Sequence, residues 1–187
     1  MKIEDWKRYK DELTVKVREA IEKFAIEYPS EEICYFALDS DPSYGYVLTC
    51  FNTTDSNCQF VKSSRSRNNE YVQRLFEEKD YETTMYTQIK SYSIPTFCNN
   101  PGDFKYQGYT QIDFPEWQEY TESSEYAEPD EFEDDYLYRN LAKIMWQVLH
   151  ELAIGQYLRH LNCASPCFVG FGFHDDEMIV VDALNLT

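Results

Sequence analysis

Apolar residues recur at three- and four-residue steps along the first turns of this chain. Ile3, Trp6, Leu13, Val17, Ala20, Ile21, Phe24 and Tyr28 fall on one stripe, which stops before Pro29. A stripe of that length predicts a long amphipathic helix, and it must be covered by something flat and apolar. The next segments supply candidates. "ICYFALD" is a continuous apolar run of strand length, "DSDPSYG" has the chemistry of a turn, and "YVLTCFN" reads as a second strand. Together they predict a β-hairpin.

A second long helix is expected from Asp130 to Leu161. Its apolar face holds Leu137, Leu141, Ile144, Met145, Val148, Leu149, Leu152, Leu158 and Leu161. Asp130, Glu131, Glu133, Asp134 and Asp135 crowd its first turns, where the helix dipole favours negative charge. "CFVGFGF" and "MIVVDAL", joined by "HDDE", predict a closing hairpin. Between these landmarks the pattern weakens. Residues 53–69 are polar and read as a loop. "NEYVQRLFEEK" reads as a short helix, and "YETTMYTQIKSYSI" as a third strand. From Pro95 to Pro115 the chain reads as irregular, and Pro115 suits the first turn of a short helix. The expected architecture is α+β: one domain over residues 1–187, with an antiparallel-rich sheet covered by two long amphipathic helices.

Charge narrows the function. Thirty-four acids against seventeen bases give a net charge of −17. Residues 1–105 carry eighteen acids and fourteen bases, whereas residues 106–187 carry sixteen acids and three bases. No Lys or Arg occurs between Lys105 and Arg139, and eleven acids lie from Asp113 to Asp135. Such a surface repels nucleic acid and anionic membrane, and attracts basic proteins over a distance. Sixteen Tyr and twelve Phe argue against disorder of the whole chain. With no apolar leader or spanning run, the expected compartment is the cytoplasm, where the six cysteines stay reduced.

No pattern names a chemistry, a metal or a cofactor. Asp39, Asp41 and Ser43 alternate like the start of a calcium loop, but Gly45 falls one place late and Cys50 stands where a bidentate Glu belongs. A plain turn is expected there. His174, Asp175, Asp176 and Glu177 point apart on a tight turn. Cys163 and Cys167 lack two further ligands for zinc. His150 and His160 lie roughly 15 Å apart along an uninterrupted helix. A nucleophile could be drawn from Cys163 or Cys167 with His160 or His174, but nothing in the sequence brings them together. "KSSRSR", residues 62–67, is the sole basic cluster.

The chain resembles a bacterial family known as domain of unknown function 4303. The resemblance rests on the N-terminal amphipathic helix, "EEICYFALDSDPSYGYVLTCFNT", the late long helix and "FGFHDDEMIVVDALN". It spans most of the chain, with residues 60–130 departing most. The resemblance implies a gene setting similar to that of immunity proteins of bacterial toxin systems, and with the charge pattern the expected function is a non-enzymatic binding protein that neutralises a basic protein partner, a toxin, by occlusion. The expected contact surface is Glu116, Trp117, Glu119, Tyr120, Glu122, Glu125, Tyr126, Asp130, Glu131, Glu133, Asp134, Asp135 and Tyr136. Its rings would anchor and its acids would steer. The alternatives are an enzyme of unrecognised class, and a DNA mimic that sequesters a nucleic-acid-binding protein.

Overall fold

The computed structural model describes residues 6–64, 98–122, 136–174 and 178–185. Helix α1 is Trp6–Glu27. Strands β1 (Ile33–Asp41) and β2 (Tyr46–Thr53) form the expected antiparallel hairpin, with Phe36 opposite Phe51. Residues 54–64 form helix α2. Strand β3 (Tyr106–Asp113) leads into helix α3 (Pro115–Thr121). Helix α4 (Tyr136–Ile154) is followed by the closing antiparallel hairpin of β4 (Cys163–Phe173) and β5 (Ile179–Leu184).

These elements make an α+β fold around one five-stranded sheet, in the order β3-β2-β1-β4-β5. Three of its four pairings are antiparallel, and β1–β4 at the centre is parallel. The side-chain period of two sorts the sheet into two faces. Phe36, Leu38, Val47, Phe51, Ile112, Val169 and Phe171 share one face and meet both long helices in the main core. Helix α1 presents Tyr9, Leu13, Val17, Ala20, Ile21 and Phe24. Helix α4 presents Leu137, Leu141, Ile144, Met145, Val148, Leu149 and Leu152. The two expected covering helices are therefore present, and each buries the face its spacing defines.

The other face of the sheet is covered too. Tyr35, Ala37 and Cys50 pack there with Cys98, Phe104 and Met178, and Phe60 of α2 adds its ring. This second layer explains why "ICYFALD" does not alternate. Its strand is buried at all positions except the last, as expected for a strand covered on both sides.

Three expectations are corrected. Residues 53–69 do not read through as a loop. Thr53 Oγ1 accepts the Ser56 N–H at 3.1 Å and starts α2, because a side-chain oxygen at that position satisfies a free helical donor. The stretch from Pro95 to Pro115 is not irregular throughout, since it holds edge strand β3. Finally, α4 stops at Ile154 rather than Leu161. Gln156 takes a left-handed φ of 56°, and Tyr157–His160 forms a 3-10 turn. Leu158 and Leu161 are nonetheless buried, which preserved the apolar spacing past the true helix end. The helix expected at "NEYVQRLFEEK" and the strand expected at "YETTMYTQIKSYSI" lie outside the described residues.

Phe24 and Phe51 stack at 4.0 Å between centroids and join α1 to the sheet. Phe51→Ala is expected to cost about 3–5 kcal/mol, because the cavity would lie in a fully packed layer. Urea denaturation followed by tyrosine fluorescence measures this loss.

Candidate partner-binding surface

Helix α3 is short, and its position is set by what flanks it. Gly45 ends the turn between β1 and β2 with φ of 68°, and its carbonyl accepts the Phe114 N–H at 2.6 Å. Pro115 then opens the helix, and the Trp117 N–H donates to the Phe114 carbonyl at 3.0 Å. Phe114 and Trp117 stack at 4.2 Å, and Tyr9 of α1 meets their edges at 5.6 and 5.3 Å. Trp117 is 0% exposed. It therefore cannot serve as the surface anchor expected of it. Its ring holds α3 onto the core instead. The sequence carried a signal for this, because Phe114 and Trp117 are three residues apart and share a helical face.

The acids of α3 divide into two kinds. Glu116 pairs with Arg8 of α1 at 3.0 Å. Its carboxyl is held below the usual range, first by a bond from its own backbone N–H and then by Arg8, while burial opposes the shift. Glu119 and Glu122 are exposed, and Gln118 donates to Glu122 at 3.0 Å. Asp113, just before the helix, is exposed as well. Tyr120 is half-buried against the core.

Tyr136, at the first turn of α4, is 53% exposed. Its hydroxyl accepts the Trp6 indole N–H at 3.0 Å, and the two rings lie 5.9 Å apart. Trp6 in turn meets Tyr9 at 5.7 Å. An unbroken chain of aromatic contacts thus runs Phe114–Trp117–Tyr9–Trp6–Tyr136. It ties α3 and the start of α4 to the same two turns of α1. The acid-rich stretch leaves the described structure at Glu122 and re-enters at Tyr136, with both ends fastened. Glu125, Tyr126, Asp130, Glu131, Glu133, Asp134 and Asp135 lie outside the described residues. Sequence reasoning placed Trp6 only in the helical stripe and missed its link to Tyr136.

The other candidate groups have structural partners. Asp41 Oδ1 accepts the Ser43 N–H at 2.9 Å, the Ser43 hydroxyl, and the Tyr138 hydroxyl at 3.3 Å. That is a turn, as expected. His150 stacks on Trp146 at 4.9 Å, and His160 lies against Tyr157 at 5.0 Å. The Cys163 thiol donates to the Leu158 carbonyl at 3.5 Å. Residues 175–177 of "HDDE" and 65–67 of "KSSRSR" lie outside the described residues. An open groove of about 430 Å³ runs between α1 and β3, lined by Glu12, Lys16, Glu19, Lys23, Gln111 and Asp113. Two of its charges are a mutual pair, Lys16 with Glu19 at 3.4 Å. Among the described residues, no three His, Cys, Asp or Glu side chains are placed to hold one metal ion, and no helix is long and apolar enough to cross a membrane. Comparison with family models, with curated proteins and with solved structures found no match.

Gly45 is the hinge of this arrangement. A Cβ there would sit 2.8 Å from the Phe114 carbonyl oxygen, in a left-handed conformation. Gly45→Ala is expected to cost at least about 1–2 kcal/mol from conformation alone. Hydrogen exchange should then quicken at the α3 amides more than at those of β1.

The Glu116–Arg8 pair has a pH signature. The folded carboxyl ionises below its unfolded range, so it adds stability above that range. The addition is lost as pH falls through the depressed folded value. Glu116→Gln should therefore be less stable than the parent chain at neutral pH. The difference should vanish on acidification through the carboxylate range, as read by urea denaturation at each pH.

Proposed function

We propose that this chain is a non-enzymatic binding protein that neutralises a basic protein partner by covering its cationic surface. The single observation that carries this reading is the double fastening of the acidic stretch. Glu119 projects from a helix whose other side is sunk in the core, Glu122 caps its C-terminal end, and Tyr136 returns the chain to helix α1. Charges held on a rigid support lose little entropy on binding and fix the partner's register. The charge imbalance of residues 106–187 adds long-range attraction. The reading differs from the sequence expectation in how labour is divided. Phe114 and Trp117 position the surface, the exposed acids meet the partner, and Tyr136 is the aromatic ring at its border. The resemblance to domain of unknown function 4303 supports a narrower form of the proposal, in which the chain is bacterial, acts in the cytoplasm as an immunity protein and has a toxin as its partner.

The test is a capture from lysate of the source cells at low and high salt, followed by kinetics with the purified partner. A basic protein binding in fixed stoichiometry is expected, with association slowed by salt. Reversing Glu119 and Glu122 to Lys should slow association by about tenfold or more at low salt and change dissociation far less. Adding Glu131→Lys, Asp134→Lys and Asp135→Lys should slow it further. Association unaltered by all five reversals would place the contact elsewhere and overturn the proposal.

A further inference from the structure

The tip of the first hairpin carries aromatic rings and carboxylates and no Lys or Arg. None occurs between Lys23 and Lys62, so strands β1 and β2 lie in a second stretch without cations, apart from the one between Lys105 and Arg139. The fold brings the two stretches together, because β3 pairs with β2 and helix α3 packs against the hairpin turn. A Cβ on Gly45 would meet Gln118 Cβ at 3.1 Å. Thr121 Oγ1 lies 3.5 Å from the Ser43 carbonyl oxygen.

Strand register then places a carboxylate on each side of one ring. Asp41 of β1 and Asp113 of β3 both lie directly opposite Tyr46 of β2. Residues so opposed share a face, with Cβ atoms roughly 4.5–5.5 Å apart. Tyr44, in the turn, stacks on Tyr46 with ring centroids 6.0 Å apart and planes 9° from parallel. Tyr46 is half-buried, whereas Tyr44 is 58% exposed. Asp41 Oδ1 is occupied by the turn and by Tyr138, but its Oδ2 accepts no hydrogen bond among the described residues. Asp113 is exposed and accepts the Gln111 side-chain amide at 2.7 Å. Among the described residues, no Lys or Arg forms an ion pair with Asp41, Asp113, Glu119 or Glu122. Arg8, which reaches α3, is engaged by Glu116 and Glu12.

We propose that Tyr44, with Tyr46 and its flanking Asp41 and Asp113, forms an arginine-recognition subsite. The exposed Tyr44 ring receives a guanidinium of the basic partner, and the two carboxylates accept its N–H groups. A planar guanidinium stacks on an aromatic face and donates in a fixed fork, whereas an ammonium is a strongly hydrated point charge. The inference rests on the reading of the chain as a binder of a basic protein, and it names the group that is gripped. It also supplies at the surface the aromatic anchor that Trp117, turned into the core, does not.

The probes are triarginine amide and trilysine amide, whose equal charge separates guanidinium recognition from general attraction to an acidic chain. Each is titrated into the full chain at low ionic strength, and the Tyr44 and Tyr46 ring signals are followed by NMR. Triarginine is expected to shift both signals and to bind at least about threefold more tightly than trilysine, a ratio that a cation–π contact at an exposed ring supplies. Tyr44→Ala should weaken triarginine binding to the trilysine level, and Tyr44→Phe should keep the preference. Equal binding of the two peptides by the parent chain, or shifts that spare Tyr44 and Tyr46, would overturn the proposal. So would a folded Tyr44→Ala chain that still prefers triarginine. The parent-chain comparison decides without either variant. It needs no partner, so its failure is distinct from a failure to capture one. A captured basic protein that binds Tyr44→Ala as tightly as the parent chain would leave the wider reading standing and remove this subsite.

Discussion

The structure depends on strand β1 being dry on both sides. Its central place between β2 and β4 leaves no backbone edge open, and its side chains are divided between two apolar layers. Phe36 and Leu38 face the long helices, while Tyr35 and Ala37 face the smaller layer with Cys98 and Phe104. Burial of this kind yields about 25 cal/mol for each Å² of apolar surface removed from water. The two long helices could lie on a bare sheet. The second layer allows β1 to be apolar without interruption, and Asp39, on that side near the end of the strand, is a buried polar residue.

The elements that could be read from sequence are those whose periodicity is set by one dominant contact. Helices α1 and α4 bury broad stripes against the sheet, and both hairpins have turn residues between apolar runs. Strand β3 escaped because it lies at an edge. Of "YQGYTQID", Ile112 alone is buried, so no alternation survives. Helix α2 escaped because, among the described residues, it meets the smaller layer through the Phe60 ring and through buried Asn57, whose side chain accepts the Cys98 N–H, and both are set among polar residues. The overrun of α4 has the opposite cause. Leu158 and Leu161 are buried from a 3-10 turn and an extended residue at a spacing that also suits a helix.

The candidate surface was legible in its charge and not in its rings. Composition places acids along residues 113–135, and the exposed positions of Glu119 and Glu122 agree with that. Composition cannot say which aromatic ring faces outward. Trp117 has acidic neighbours in sequence, but its spacing from Phe114 governs, and the pair turns toward Tyr9. The link between Trp6 and Tyr136 spans 130 positions, so no local pattern could show it.

The parallel pairing at the centre of the sheet has a kinetic consequence. Ile33 of β1 meets Cys163 of β4, 130 positions later in the chain. During synthesis the first hairpin forms early, but one edge of β1 stays open until β4 has been made. Closing so long a loop comes before its contacts repay the entropy, which slows folding. Over that interval the apolar edge of β1 is the place where a nascent chain is most exposed to mispairing, and where a chaperone would find its longest-lived target.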